Sequence, residues 1–408
     1  MLWLQFYFYP MLTLTKPFTF AKSLHCSNCS KAYSLSQPHT YATCCNKPLI
    51  VEYDLELSFQ KSQLRFREAT MWRYAEMLPV VKRDNIISLG EGMTPLFSLN
   101  KLAQKHDFDN LLMKDESSNP TGSFKARGIS MAVSKAKEFN IEQCIIPTAG
   151  NAGGALAAYC AKADIQCTVV MPRHTPEIFK QECKLYGAEL ILIDGLINDC
   201  AKKVAELNKG NDYFDISTLK EPYRLEGKKT MGYEIAEQLD WQLPDVIIYP
   251  AGGGTGLIGI WKAFKEMKAM GWITGPLPRM IAVQSTKCAP ILHALKDSVN
   301  WKEHFIPQPT IANGLAVPYP FGMDMMLQVL KESNGIAFAI NEEEIINGVK
   351  EIAKTEGLII SPEGAATWKA LLHLRRLKKI DSSETVLLLN TGTGYKYLDN
   401  LGINSSVS

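Results

Sequence analysis

Asp245–Met270 runs DVIIYPAGGGTGLIGIWKAFKEMKAM. An unbroken apolar run, partly β-branched, gives way to glycines and then to a helical pattern from Leu257. Such a run suits a strand buried on both faces, as in a parallel sheet. In AGGGTG, Ala251–Gly256, consecutive glycines let the backbone approach a ligand. The helix that follows turns its unpaired N–H groups and positive end toward the same spot. The combination points to a bound phosphate rather than a bare tight turn. Gly254, Gly256 and Gly259 satisfy the G-x-G-x-x-G spacing, but a dinucleotide site also needs an acidic residue at the end of the next strand. That strand, RMIAVQ, ends at Gln284-Ser285, which disfavours NAD. A Walker A loop needs Gly-Lys-Ser/Thr, whereas Gly256 is followed by Leu257 and Ile258, which excludes ATP by that route.

The same alternation extends in both directions. Further strands are predicted at 111–114, 143–147, 166–172, 189–194, 279–284 and 386–390. Amphipathic helices are predicted at 128–139 and 152–163, and in segments ending at Gly187 and Gly357. Another starts at Ser361, an N-cap followed by Pro362 at the first helical position. Strands and helices in alternation argue for an α/β fold with a mainly parallel sheet.

The chain has 408 residues, which at about 150 per domain suggests two to three domains. Hydrophobic residues at 46% and charged residues at 21% exclude collagenous, coiled-coil and wholly disordered classes. A net charge of +2 gives no reason to expect nucleic acid or a membrane as partner. No run of about 18 apolar residues exists, so no membrane span is expected. Of ten cysteines, Cys26, Cys29, Cys44 and Cys45 cluster near the N-terminus, and the other six are scattered among apolar residues. That scatter suits reduced thiols in a cytoplasmic protein better than a disulfide framework. Met1–Pro10 lacks the basic start and small-residue cleavage site of a secretory signal, and Met11 is an alternative start.

Three more motifs carry chemistry. SNPTGSFKARG, Ser118–Gly128, places Lys125 between a turn and a helix, where desolvation and the helix field lower an amine's pKa and favour Schiff-base chemistry. TAGNAGG, Thr148–Gly154, sets N–H groups and Asn151 at a strand's carboxyl end, a place that binds anions. NTGTG, Asn390–Gly394, offers the Thr391 hydroxyl to a ring nitrogen. Each alone also reads as an ordinary loop.

In this order the four motifs resemble the fold type II pyridoxal-phosphate (PLP) enzymes, and among them most closely the threonine synthases, over roughly residues 50–400. The resemblance implies two three-layer α/β/α domains with mainly parallel sheets, plus a small N-terminal cysteine-bearing ribbon-like module. It implies the following ranges: module 1–50, large domain 51–118 and 219–400, small domain 119–218, tail 401–408. Lys125 would form the Schiff base with PLP, and Asn151 would bond the cofactor's ring hydroxyl. Gly252, Gly253, Gly254, Thr255 and Gly256 would hold the cofactor phosphate, and Thr391 would contact the pyridine nitrogen. Thr148, Asn151, Arg224 and Lys229 would bind the substrate, O-phospho-L-homoserine, with Arg224 and Lys229 of YRLEGKKT on its phosphate. The implied reaction is a β,γ-replacement giving L-threonine and phosphate, carried out by a homodimer. The alternatives are a threonine or serine dehydratase and a cysteate-synthase-like enzyme. A non-catalytic relative would have had no need to keep Lys125.

Two positions depart from the threonine synthase pattern. Ala126 stands where many members have Asp, and Thr148-Ala149 stands where many have a hydroxyl pair. The N-terminal module resembles the zinc-ribbon-like extension of some members. Cys26 and Cys29 make a good half-site, whereas Cys44 and Cys45 are adjacent instead of separated. A structural zinc and a metal-free ribbon are both open readings.

Overall fold

The computed structural model describes residues 18–402 apart from 57, 58, 298 and 304, so Met1, Met11 and the end of the tail lie outside the described residues. The chain begins with an antiparallel ribbon, β1 (Ala21–Cys26), β2 (Ala32–Tyr33) and β3 (Leu49–Tyr53), in the order β2-β1-β3. A six-stranded sheet follows, built from β4 (Leu96–Ser98), β5 (Asn110–Asp115), β10 (Val246–Pro250), β11 (Arg279–Ser285), β12 (Ile336–Ile340) and β13 (Thr385–Asn390). Its order is β12-β11-β10-β13-β5-β4, parallel except for the β4 edge. Between β5 and β10 the chain forms a second, fully parallel sheet in the order β8-β7-β6-β9. Its strands are β6 (Gln143–Pro147), β7 (Gln166–Pro172), β8 (Glu189–Ile193) and β9 (Phe214–Asp215).

The helices are α1 (Asn100–Lys105), α2 (Lys125–Glu138), α3 (Asn151–Ala163), α4 (Glu177–Leu185), α5 (Ile197–Leu207) and α6 (Tyr223–Gln238). They continue with α7 (Thr255–Ala269), α8 (Pro290–Lys296), α9 (Met323–Glu332), α10 (Glu342–Glu356) and α11 (Pro362–Arg376). None among the described residues is long and apolar enough to cross a membrane.

The apolar strands have a direct packing cause. Ile247 and Tyr249 of β10 join one core with α6, α7 and α9, while Val246 and Ile248 join the opposite core with α10 and α11. In the small sheet, Cys144 and Ile146 face α2, α3 and α4, and Ile145 faces α5. With helices on both faces, a strand has no polar side to show, and the alternation disappears from its sequence.

Helix α6 escapes sequence reading because it is buried along nearly its whole length yet mostly polar. Its side chains are satisfied inside the protein. Glu234 pairs with Lys114 and Arg127, Glu226 pairs with Lys229 and Lys262, and all but the Lys262 side chain are fully buried. Close helix crossings require glycine here: a Cβ on Gly227 would overlap the Arg127 carbonyl, and one on Gly128 would lie 2.9 Å from the Arg224 carbonyl.

Candidate active site

The four motifs meet in one cavity at the carboxyl ends of β6, β10 and β13. Its wall includes Lys125, Thr148, Asn151, Gly252, Gly253, Gly254, Thr255, Arg224 and Thr391. Lys125 opens α2, and the strand-like contact of Ser123 with Gly392 ties the segment before it to the loop after β13. The Phe124 N–H donates to the Thr391 carbonyl at 3.0 Å, which fixes where the Lys125 side chain starts. Burial pushes the Lys125 ammonium down to about 7; the Arg224 charge acts the same way and Glu363 opposes it. Burial thus brings the neutral amine, the form a nucleophile or base needs, within reach of neutral pH.

The glycine loop leaves β10 and enters α7 through Gly254, which has the left-handed φ of 83°. A Cβ on Gly252 would overlap the Gly314 carbonyl, so the loop is pressed against the far wall. Gly256 stands one step behind the wall, packed on the Tyr249 hydroxyl. A loop of bare backbone N–H groups at the start of a 15-residue helix fits a phosphate.

Asn151 opens α3. Its Oδ1 accepts from Lys396 Nζ at 3.2 Å, and its Nδ2 donates to Tyr397 Oη at 3.5 Å. The buried Thr148 hydroxyl accepts from Gly150 N at 3.2 Å and so shapes the turn. Arg224 Nη1 donates to the Ile216 carbonyl at 2.6 Å, whereas its buried Nε has no hydrogen-bond partner.

Lys229 is not part of this cavity. Five residues along a helix turn about 140° past Arg224, to the far side of α6. There Lys229 pairs with Glu226 at 2.6 Å and Glu266 at 3.0 Å, beneath the Tyr53 ring. Its neighbour Lys228 lies nearer the site, with Nζ over the Phe124 ring and donating to the Phe124 carbonyl.

Sequence reasoning missed Glu363 and Tyr397, both in the cavity wall. Glu363 accepts from Gly314 N at 2.7 Å and from Tyr397 Oη at 3.1 Å. Burial, reinforced by Glu363, pushes the Tyr397 phenol well up, so it stays a donor. In the sequence, Glu363 passes for a first-turn acid complementing the helix dipole, right after the Ser361 N-cap.

In the ribbon, the Sγ atoms of Cys26, Cys29, Cys44 and Cys45 all lie within 4.8 Å of one another. Adjacency does not prevent Cys44 and Cys45 from facing the same point. Four thiolates so placed fit a tetrahedral ion with metal–sulfur bonds of about 2.3 Å.

The family model described as "Pyridoxal-phosphate dependent enzyme" matches residues 87–392. The chain is 35% identical over 379 residues to a threonine synthase of Methanocaldococcus jannaschii, covering 91% of this chain and 92% of that one. It is 33% identical over 371 residues to a threonine synthase of Methanosarcina acetivorans, covering 90% and 91%. Among solved structures, an O-ureido-L-serine synthase superposes with a TM-score of 0.64 at 20% identity, over 76% of this chain and 93% of that one. A threonine deaminase from Solanum lycopersicum gives 0.60 at 20% identity, over 76% and 87%. The two structures share the fold with this chain.

Proposed function

The chain belongs to the pyridoxal-phosphate-dependent enzymes, and from that premise we propose that it converts O-phospho-L-homoserine and water to L-threonine and phosphate. The observation that carries this reading is a buried guanidinium in the cavity that the glycine loop also lines. Arg224, buried and with a spare N–H, lines the same cavity as Lys125. The glycine loop takes the cofactor's phosphate, and Arg224 takes the phosphate of the substrate. Relatives named threonine synthase that match nine-tenths of the chain support the choice.

Bound here, the cofactor supplies a sink for the electrons left when the α proton departs. Gly252, Gly253, Gly254 and Thr255 would hold its phosphate, Asn151 would bond its ring oxygen, and Thr391 would offer its ring nitrogen a neutral hydroxyl. Lys125 Nζ would anchor the cofactor until the substrate amine takes its place. Freed, it would remove the α proton and return it at the end, while a β hydrogen leaves, the γ carbon loses phosphate and gains a proton, and water adds at the β carbon. Arg224 orients the leaving phosphate, and the N–H groups beside Thr148 hold the substrate carboxylate.

The purified enzyme with PLP should release phosphate and threonine from O-phospho-L-homoserine in equal amounts. Arg224→Ala should cut kcat/KM for this substrate by about a hundredfold, the loss of one charge-assisted pair. Turnover of unphosphorylated serine or threonine, with Arg224→Ala silent, would replace the reading by a β-elimination.

We also propose that Cys26, Cys29, Cys44 and Cys45 hold a structural zinc ion. The four converging sulfurs support it, and a reducing cytoplasm would keep them available as thiols.

A further inference from the structure

Lys396 lies in the 3₁₀ turn Gly394–Leu401, two residues past the last motif, and its side chain is 13% exposed. Its ammonium has three hydrogens and faces three neighbours. Nζ donates to the Thr121 carbonyl at 2.9 Å, to Asn151 Oδ1 at 3.2 Å and to the Glu182 carboxylate at 2.7 and 2.8 Å. Thr121 belongs to the loop leading to Lys125, Asn151 opens α3, and Glu182 lies on α4. Glu182 sits this close to α3 because Gly154 has no side chain; a Cβ there would overlap its carboxylate.

An ammonium only donates, so the amide facing it must present its oxygen. Asn151 then has one group left for the cavity, the donor Nδ2, near the Tyr397 hydroxyl at 3.5 Å. We infer that Lys396 is a positioning residue that fixes the Asn151 amide so that it donates into the cavity, with Glu182 holding Lys396 in place. This rests on the proposal that Asn151 faces the ring oxygen of PLP. A donor at that point stabilises the oxygen as an anion, whereas an amide turned end for end would present an acceptor and repel it. A lysine far along the chain from Lys125 thereby sets the electronic state of the cofactor ring without touching it.

The test compares Lys396→Met, Lys396→Arg, Asn151→Ala and the double variant Lys396→Met/Asn151→Ala, each loaded with PLP. The readouts are the visible absorption of the resting enzyme and the dissociation constant for PLP. Lys396→Met should alter the absorption and weaken PLP binding about tenfold, the effect of one hydrogen bond to a charged group. Lys396→Arg, which keeps charge and donors, should restore both. In the Asn151→Ala background, Lys396→Met should add nothing, because the group it acts through is gone. Unchanged absorption in Lys396→Met, or full additivity in the double variant, overturns the inference. A Lys396→Met protein that does not fold shifts the test to Glu182→Gln, for which the same coupling to Asn151→Ala is expected and its absence is decisive. Failure of the unaltered enzyme to bind PLP would instead undo the reading of the site itself.

Discussion

Lys125 shows how much one side chain owes to its neighbours. Its ammonium is pushed down to about 7, first by burial, then by Arg224, against the pull of Glu363. Only the neutral amine can attack the cofactor's aldehyde, so the rate of PLP uptake by cofactor-free enzyme should rise with pH through about 7. Removing the positive charge in Arg224→Ala should move that rise to higher pH, and Glu363→Gln should move it lower. Rapid-mixing absorbance against pH measures all three, and a common profile would refute the electrostatic account. At this scale the sequence is legible where chemistry sits on a turn. Lys125, Asn151, Thr391 and the glycine loop each lie at a strand-to-helix junction or loop that the residues themselves announce. Glu363 and Tyr397 in the cavity wall, and Lys396 behind Asn151, carry no such marker, since only the topology brings them there. Lys229 misled because residues adjacent in a charged run point to different sides of a helix.

Helix α6 links the two sheets in the chain, following β9 of the small one and leading to β10 of the large one. It carries Arg224 at its start and is gripped by α2 and α7 through backbone-close crossings at Gly227 and Gly259. Gly227→Ala would drive a methyl into the Arg127 carbonyl, an overlap the backbone must relieve. The expected loss is about 1–3 kcal/mol or more, read from denaturant unfolding. A loss under about 0.5 kcal/mol would mean that the crossing is looser than drawn. Strands were legible and this helix was not, for one reason. A strand between two helical layers is apolar throughout, whereas α6 buries charges that pair with one another and shows no stripe. The two-residue β9 and the half-buried edge strand β12 left too weak a pattern to read.

On the scale of the whole molecule, the ribbon shares its core with the large sheet and the helices on that face. Phe20, Leu24, Leu49, Val51 and Tyr53 merge with the α6 and α7 core, and Tyr53 Oη donates to Glu226 at 2.8 Å. The proposed zinc should therefore stabilise the protein as a unit. Metal analysis should find one zinc per chain, and Cys29→Ser should lose it. A chelator should lower the single thermal transition rather than split off a separate one. Zinc-free protein with an unchanged transition would contradict this.

The order β12-β11-β10-β13-β5-β4 puts the last strand among the described residues, Thr385–Asn390, in the middle of the large sheet. Until residues 385–390 have been made, β5 and β10 have no common partner, and each presents an open edge. At about 5–20 residues per second, the stretch from the end of β10 at residue 250 to the start of β13 at residue 385 takes several seconds to make, and any sheet formed meanwhile keeps these edges open. Thr391, which directly follows that strand, arrives with it. Premature termination before residue 385 would thus yield a sticky fragment rather than a weakened enzyme, one that chaperones must hold and proteases must clear.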